Sequence, residues 1–181
     1  AERVVVAWSV GAPEAAGRDL AEIARDWGIS VAQAVERLNP AGAVYFLMDE
    51  EDVRRILQFS HTMIGSDGLP HDSHPHPRLW GTFPRVLGHY VRDVGLFSLE
   101  EAVRRMTSLP ASRFGLSGRG RLSPGAYADI VVFDADAIAD RATFDDPTQP
   151  AAGIDMVFVN GQIIWRDGAP TDARPGRALR R

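Results

Sequence analysis

These 181 residues predict an α/β body followed by a small antiparallel β unit. Over the first 117 residues, apolar positions recur at helical spacing between short apolar runs. From Gly118 onward the pattern shifts to β-branched strands and an Asn-Gly turn. The totals fit a folded globular chain, with 45% apolar and 24% charged residues. A net charge of -4 gives no reason to expect nucleic acid or a membrane as partner. All 20 basic residues are arginine, which reads as codon bias rather than a demand for guanidinium groups. Cysteine is absent, so disulfides and thiol chemistry are excluded. No run approaches the ~18 apolar residues of a membrane span, and a soluble, cytoplasmic protein is expected.

The elements follow in order. Val4 to Val10 reads as a strand, because Val4-Val5-Val6 are β-branched and a turn-like Gly-Ala-Pro follows. Residues 17 to 28 carry Leu20, Ile23, Ala24 and Trp27 at helical spacing, with Gly28 as the stop. Ser30 with Gln33 spells a capping box for a second helix that Pro40 ends. AVYFLM (43 to 48) reads as a buried strand, and Asp49 caps a helix through Gln58 with Val53, Ile56 and Leu57 on its apolar face. TMIG (62 to 65) reads as a short strand and residues 69 to 82 as a long loop. Phe83, Val86, Leu87, Tyr90, Val91 and Val94 mark a helix face, with Pro84 in its first turn. Ser98 with Glu101 spells a second capping box, and Pro110 opens a short helix that Gly115 closes. ADIVVFD (128 to 134) is a strand, 135 to 153 a loop, and 154 to 168 a hairpin turning at Asn160-Gly161. The tail ARPGRALRR reads as a solvated, poorly ordered end. The body is too small to close a (β/α)₈ barrel, which needs about 200 residues or more.

Chemistry concentrates in MIGSDGLPHDSHPHPRLWGTF, residues 63 to 83. In a parallel α/β barrel, the residue just past a strand's C-terminal end faces the catalytic site, and Asp67 holds that position relative to TMIG. Gly65 and Gly68 let the backbone turn sharply and a substrate approach closely. Asp67 reads either as a general base, passing a proton from water to a leaving group, or as the cap of an Asx-turn. His71, His74 and His76, with Asp72 among them, read either as zinc ligands or as loop histidines held by hydrogen bonds. Pro75 and Pro77 stiffen that loop, and His71 does not obviously join the other two. Arg78, eleven residues after Asp67, suits either bidentate capture of a substrate carboxylate or a structural salt bridge. Trp80 and Phe83 read as core or pocket wall.

The segment MIGSDGLPHDSHPHPRLWGTFPRVLGHY resembles the N-acyl-D-amino-acid deacylases (D-aminoacylases), a branch of the metal-dependent amidohydrolases. GAVYFLMDEEDVRRIL before it and LEEAVRRMTSLPASRFGL after it fit the same family. RGRLSPGAYADIVVFD and VFVNGQIIWRDG are similar to the C-terminal end of amidohydrolases generally. The resemblance implies a (β/α)₈ TIM-like barrel, of which this chain is the C-terminal part, plus strands of a small β-sandwich. On that reading residues 1–117 belong to the barrel: an insertion over about 1–45, the last helix and eighth strand over 49–67, and final helices over 83–115. Residues 118–181 then supply the strands of the sandwich and the tail.

The same resemblance implies zinc-dependent hydrolysis of N-acyl-D-amino acids to a carboxylate and a D-amino acid. On that resemblance zinc would polarise the carbonyl and activate water, Asp67 would move the proton, and Arg78 would hold the substrate's α-carboxylate. The family's zinc ligands come from earlier strands, as an HxH pair, a cysteine and further histidines. His74-Pro75-His76 falls after the eighth strand and does not match that motif. The chain is therefore expected to supply no metal ligand and to be inactive alone, its partners being the substrate and the N-terminal part of the barrel. Ser108 stands where glycine is more usual. Two other readings compete: a non-catalytic remnant or assembly module, and a cyclic-amide hydrolase of the hydantoinase or dihydroorotase type.

Overall fold

A computed structural model describes residues 3–179 as a mixed α/β chain in two compact units. The first comprises the residues up to Val53 together with Asp67–Trp80 and Ala142–Gln149. The second comprises Arg54–Ser66, Gly81–Arg141 and the chain from Pro150 onward. No helix among the described residues is long and apolar enough to cross a membrane.

In the first unit β1 (Val4–Ser9) pairs antiparallel with β2 (Ala41–Tyr45). Between them lie α1 (Leu20–Asp26) and α2 (Val31–Leu38). Asp19 caps α1 by accepting the Ala21 N–H at 2.8 Å, so that helix starts three residues later than its periodicity suggests. The Ser30–Gln33 box closes as spelled: Ser30 Oγ accepts the Gln33 N–H, and Gln33 Oε1 accepts the Ser30 N–H. Val6, Ala12, Ala15, Ile23 and Leu38 form the core, with Leu20 and Trp27 packed against it. The expected buried strand over 43–48 moves towards the N-terminus. The ladder ends at Tyr45, and Leu47 and Met48 are exposed. Apolar character there does not report burial within this unit. Asp49 caps α3 (Glu50–Gln58) as expected, accepting the Glu51 N–H at 2.8 Å.

TMIG forms no ladder, a departure from the expected strand. A strand exists only through a hydrogen-bonded neighbour, and the described residues offer 62–65 none. Instead Ile64 N–H donates to the Arg105 carbonyl at 3.2 Å. The expected loop over 69–82 ends early, because α4 (Arg78–Arg85) begins directly after Pro77. Pro84 therefore sits inside a helix rather than in its first turn. It has no N–H to donate back along the helix, and a π-helical stretch, Val86–Asp93, follows at once. There Val94 N–H reaches the His89 carbonyl at 2.9 Å, five residues back.

In the second unit Val86, Leu87 and Tyr90 are buried, and Gly88 faces the Ile138 carbonyl. Ser98 accepts the Glu101 N–H at 3.3 Å at the start of α5 (Leu99–Met106), and α6 (Ser108–Phe114) ends at Gly115. The second capping box is only half made, because Glu101 turns to two arginines. β3 (Ile130–Phe133), β4 (Ile154–Val159), β5 (Gln162–Arg166) and β6 (Ala169–Pro170) form one antiparallel sheet in that order. Asn160 (φ 47) and Gly161 (φ 80) make the expected hairpin turn. Part of the tail is ordered by that turn: Asn160 Nδ2 donates to the Pro175 carbonyl at 2.7 Å. Arg180 and Arg181 lie outside the described residues.

Candidate active site

The loop between residues 67 and 77 is tied into the first unit at several points. Ser73 Oγ and His74 N–H both donate to the Ala7 carbonyl, at 3.1 and 2.9 Å. His74 Nε2 lies 2.7 Å from the Phe144 carbonyl, so that nitrogen carries the ring proton. Phe144 in turn packs against Phe46, with ring centroids 4.6 Å apart and the ring planes tilted by 51°. Strand β1 and the 142–149 segment thus anchor the loop before it reaches the helix.

His76 sits at the end of the loop and caps α4. Its Nδ1 accepts the Arg78 N–H at 3.0 Å, and its carbonyl accepts the Leu79 N–H at 3.0 Å. Two of the donors left over at a helix start are thereby satisfied. The ring packs edge-on against Phe144 at 5.1 Å. Burial holds its pKa below the ordinary imidazole value. The Arg78 guanidinium adds to that depression, and Asp67 opposes it.

Arg78 and Asp67 meet. Arg78 Nη2 lies 2.7 Å from Asp67 Oδ2, and Arg78 Nε donates to the Asp67 carbonyl at 3.0 Å. Asp67 adopts a left-handed backbone (φ 47), which aspartate tolerates better than most residues. Its side chain is 81% exposed, so the carboxylate is open to a ligand. The flanking glycines differ. A Cβ on Gly68 would lie 2.4 Å from Leu79 Cδ1 and 2.9 Å from Leu79 Cα, whereas one on Gly65 would meet nothing within 4 Å. Close approach therefore requires glycine at 68 and not at 65.

The histidines are not brought together as ligands. His74 and His76 spend a ring nitrogen each on separate partners, and His71 is exposed beside Asp72, its Nε2 3.5 Å from Oδ1. That Asp72 oxygen is buried and has no hydrogen-bond partner among the described residues. No three His, Asp or Glu side chains among the described residues converge to hold a metal ion.

Sequence reasoning passed over two groups. The His76 cap is one; its only local signal is a His-Pro pair before an amphipathic stretch. The other lies in the second unit, where Glu101 receives Arg104 and Arg105, with Nε to carboxylate distances of 2.7 Å each. Those two guanidinium donors hold the Glu101 pKa down at about 2. Arg105 is buried, and its Nη1 donates to the carbonyls of Leu57 and Phe59. The spacing of three and four residues is legible on any helix.

The amidohydrolase family model matches residues 7–165. The chain is 59% identical over its whole length to the D-aminoacylase of Alcaligenes xylosoxydans xylosoxydans, spanning 37% of that protein. It is 58% identical to the N-acyl-D-glutamate deacylase of the same organism, over 97% of this chain and 36% of that one. The crystal structure of the N-acyl-D-glutamate deacylase of Bordetella bronchiseptica, complexed with zinc and a phosphonate mimic of the tetrahedral intermediate, superposes with a TM-score of 0.94. The identity there is 54%, over 98% of this chain and 37% of that one. The chain thus spans somewhat over a third of the length of the relatives it matches.

Proposed function

The chain belongs to the amidohydrolase family, and from that premise we propose that it is the C-terminal part of a zinc-dependent N-acyl-D-amino-acid deacylase. The observation that carries the proposal is the contact between Asp67 and Arg78. In an N-acyl amino acid the α-carboxylate and the amide nitrogen share one carbon atom. A cation that holds the first and an acid–base group that serves the second must therefore be neighbours, as these two are at 2.7 Å.

On this reading Asp67 takes a proton from water as the water oxygen bonds to the amide carbon. It returns that proton to the nitrogen as the carbon–nitrogen bond breaks, leaving a carboxylic acid and an amine, between which one further proton passes to give carboxylate and ammonium. Arg78 orients the substrate by its α-carboxylate, using the planar fork that suits such groups. Residues 1–117 would contribute to the barrel and 118–181 to the β-sandwich.

Among the described residues no group of His, Asp or Glu side chains is placed to hold a zinc ion by itself. The ligands are proposed to come from other parts of the complete protein. A cytoplasmic location belongs to the same proposal, and cell fractionation tests it. The function is tested by incubating the complete zinc-loaded protein with an N-acyl-D-amino acid and with its L enantiomer. Release of free amino acid from the D form is the result expected. Inertness towards both, with zinc bound, favours the assembly-module reading.

A further inference from the structure

We infer that His76 is the positioning residue of the Asp67–Arg78 pair, holding Arg78 in register with Asp67 through its Nδ1 acceptor and its packing on Phe144. The inference rests on the deacylase reading and adds a residue to it. His76 touches neither the substrate nor the reacting atoms on that reading; it acts through Arg78.

Arg78 is the first residue of α4, where the helix has no preceding turn to fix its backbone. The ring of His76 supplies what is missing, by accepting the Arg78 N–H at 3.0 Å. From that fixed backbone the Arg78 side chain turns back to Asp67, reaching the carboxylate at 2.7 Å and the carbonyl at 3.0 Å. His76 is itself held: its ring by Phe144, and its main chain by the Leu79 N–H and the flanking Pro75 and Pro77. A second, independent contact fixes the far side, since Gly68 packs against Leu79 too closely to admit a Cβ. The distance between the loop start and the helix start is therefore set from two directions.

The cap works in one protonation state only. Nδ1 accepts, so the neutral ring carries its proton on Nε2. Protonation adds a hydrogen at Nδ1 that faces the Arg78 N–H, and the bond is lost. The charged groups facing the ring among the described residues are Arg78, which opposes protonation, and Asp67, which favours it. The 142–149 segment presents the uncharged Phe144 ring. Because the folded pKa lies below the unfolded one, the cap is intact above the ordinary imidazole value of about 6.5. It is lost as pH falls through the folded value.

The test uses the complete enzyme and three variants. His76→Phe keeps a ring against Phe144 and removes the acceptor. His76→Asn keeps an acceptor near the Nδ1 position and cannot titrate. We expect His76→Phe to lower kcat/KM by about tenfold, through displacement of the groups that orient the substrate. His76→Asn should stay near wild type at neutral pH and lose the acidic limb that His76 imposes on the wild-type kcat/KM profile. The outcome that overturns the inference is both variants matching wild type with the acidic limb unchanged, or both failing alike. Asp67→Asn run beside them separates the two levels. If it remains fully active, the deacylase role of the pair fails and the positioning role with it. If it is inactive while His76 proves indifferent, the positioning role alone fails.

Discussion

Arg78 holds Asp67 at two points, its Nη2 2.7 Å from the carboxylate and its Nε 3.0 Å from the carbonyl of the same residue. Side chain and main chain of Asp67 are thus gripped by one guanidinium, while the backbone is kept left-handed. An ion pair this exposed stabilises by only ~0–1 kcal/mol.

The first prediction concerns Arg78. In the complete enzyme, Arg78→Ala should lower kcat/KM for N-acyl-D-amino acids by ~10²-fold, as loss of one partner of a charge-assisted pair does. Lysine should rescue in part, because it lacks the two-pronged geometry. A substrate whose α-carboxylate is replaced by a neutral amide should be poor with wild type and lose little more with the variant. That non-additivity couples Arg78 to the carboxylate. Equal impairment towards acid and amide substrates, with reduced thermal stability, assigns Arg78 to structure alone.

The two glycines beside Asp67 should answer differently. Gly68→Ala forces a Cβ to within 2.9 Å of the Leu79 backbone, which cannot yield as a side chain can. It should cut activity by roughly tenfold or more, since small displacements of orienting groups are costly. Gly65→Ala meets nothing within 4 Å and should be nearly neutral. Kinetics of the two variants side by side checks this, and equal effects would remove the close-approach account.

The pH dependence of Glu101 follows from its depressed pKa of about 2. A carboxyl whose folded pKa lies below its unfolded value contributes stability that is full above the unfolded value, about 4.3. That contribution is lost as pH falls towards 2. Glu101→Gln should therefore speed amide exchange over 57–64, the segment that Arg105 holds, at neutral pH. The difference from wild type should shrink steadily below about pH 4. Exchange that differs equally at pH 3 and pH 7 contradicts the assignment.

What the sequence made legible was local. Ser30 and Gln33 lie within one turn, and their box forms as spelled. Asn160-Gly161 carries its own backbone preference, and the hairpin turns there. The cap at Asp49 is equally self-contained. Elements that depend on distant partners were not legible. TMIG has strand composition but no neighbour to pair with among the described residues, and the ladder of AVYFLM ends at Tyr45. The prolines of residues 69–82 suggested loop throughout, yet Pro77 directly precedes a helix start. For the site, Asp67 and Arg78 were both singled out, but their contact was not foreseen, because it depends on a helix beginning at Arg78. The His76 cap was hidden by the same error.

The account stands most directly on Asp67. The measurement is kcat of Asp67→Asn in the complete enzyme, with zinc content determined on the same preparation. The account predicts a fall of at least ~10²-fold, the scale of acid–base catalysis, with zinc unchanged. Turnover equal to wild type at equal zinc content would contradict it.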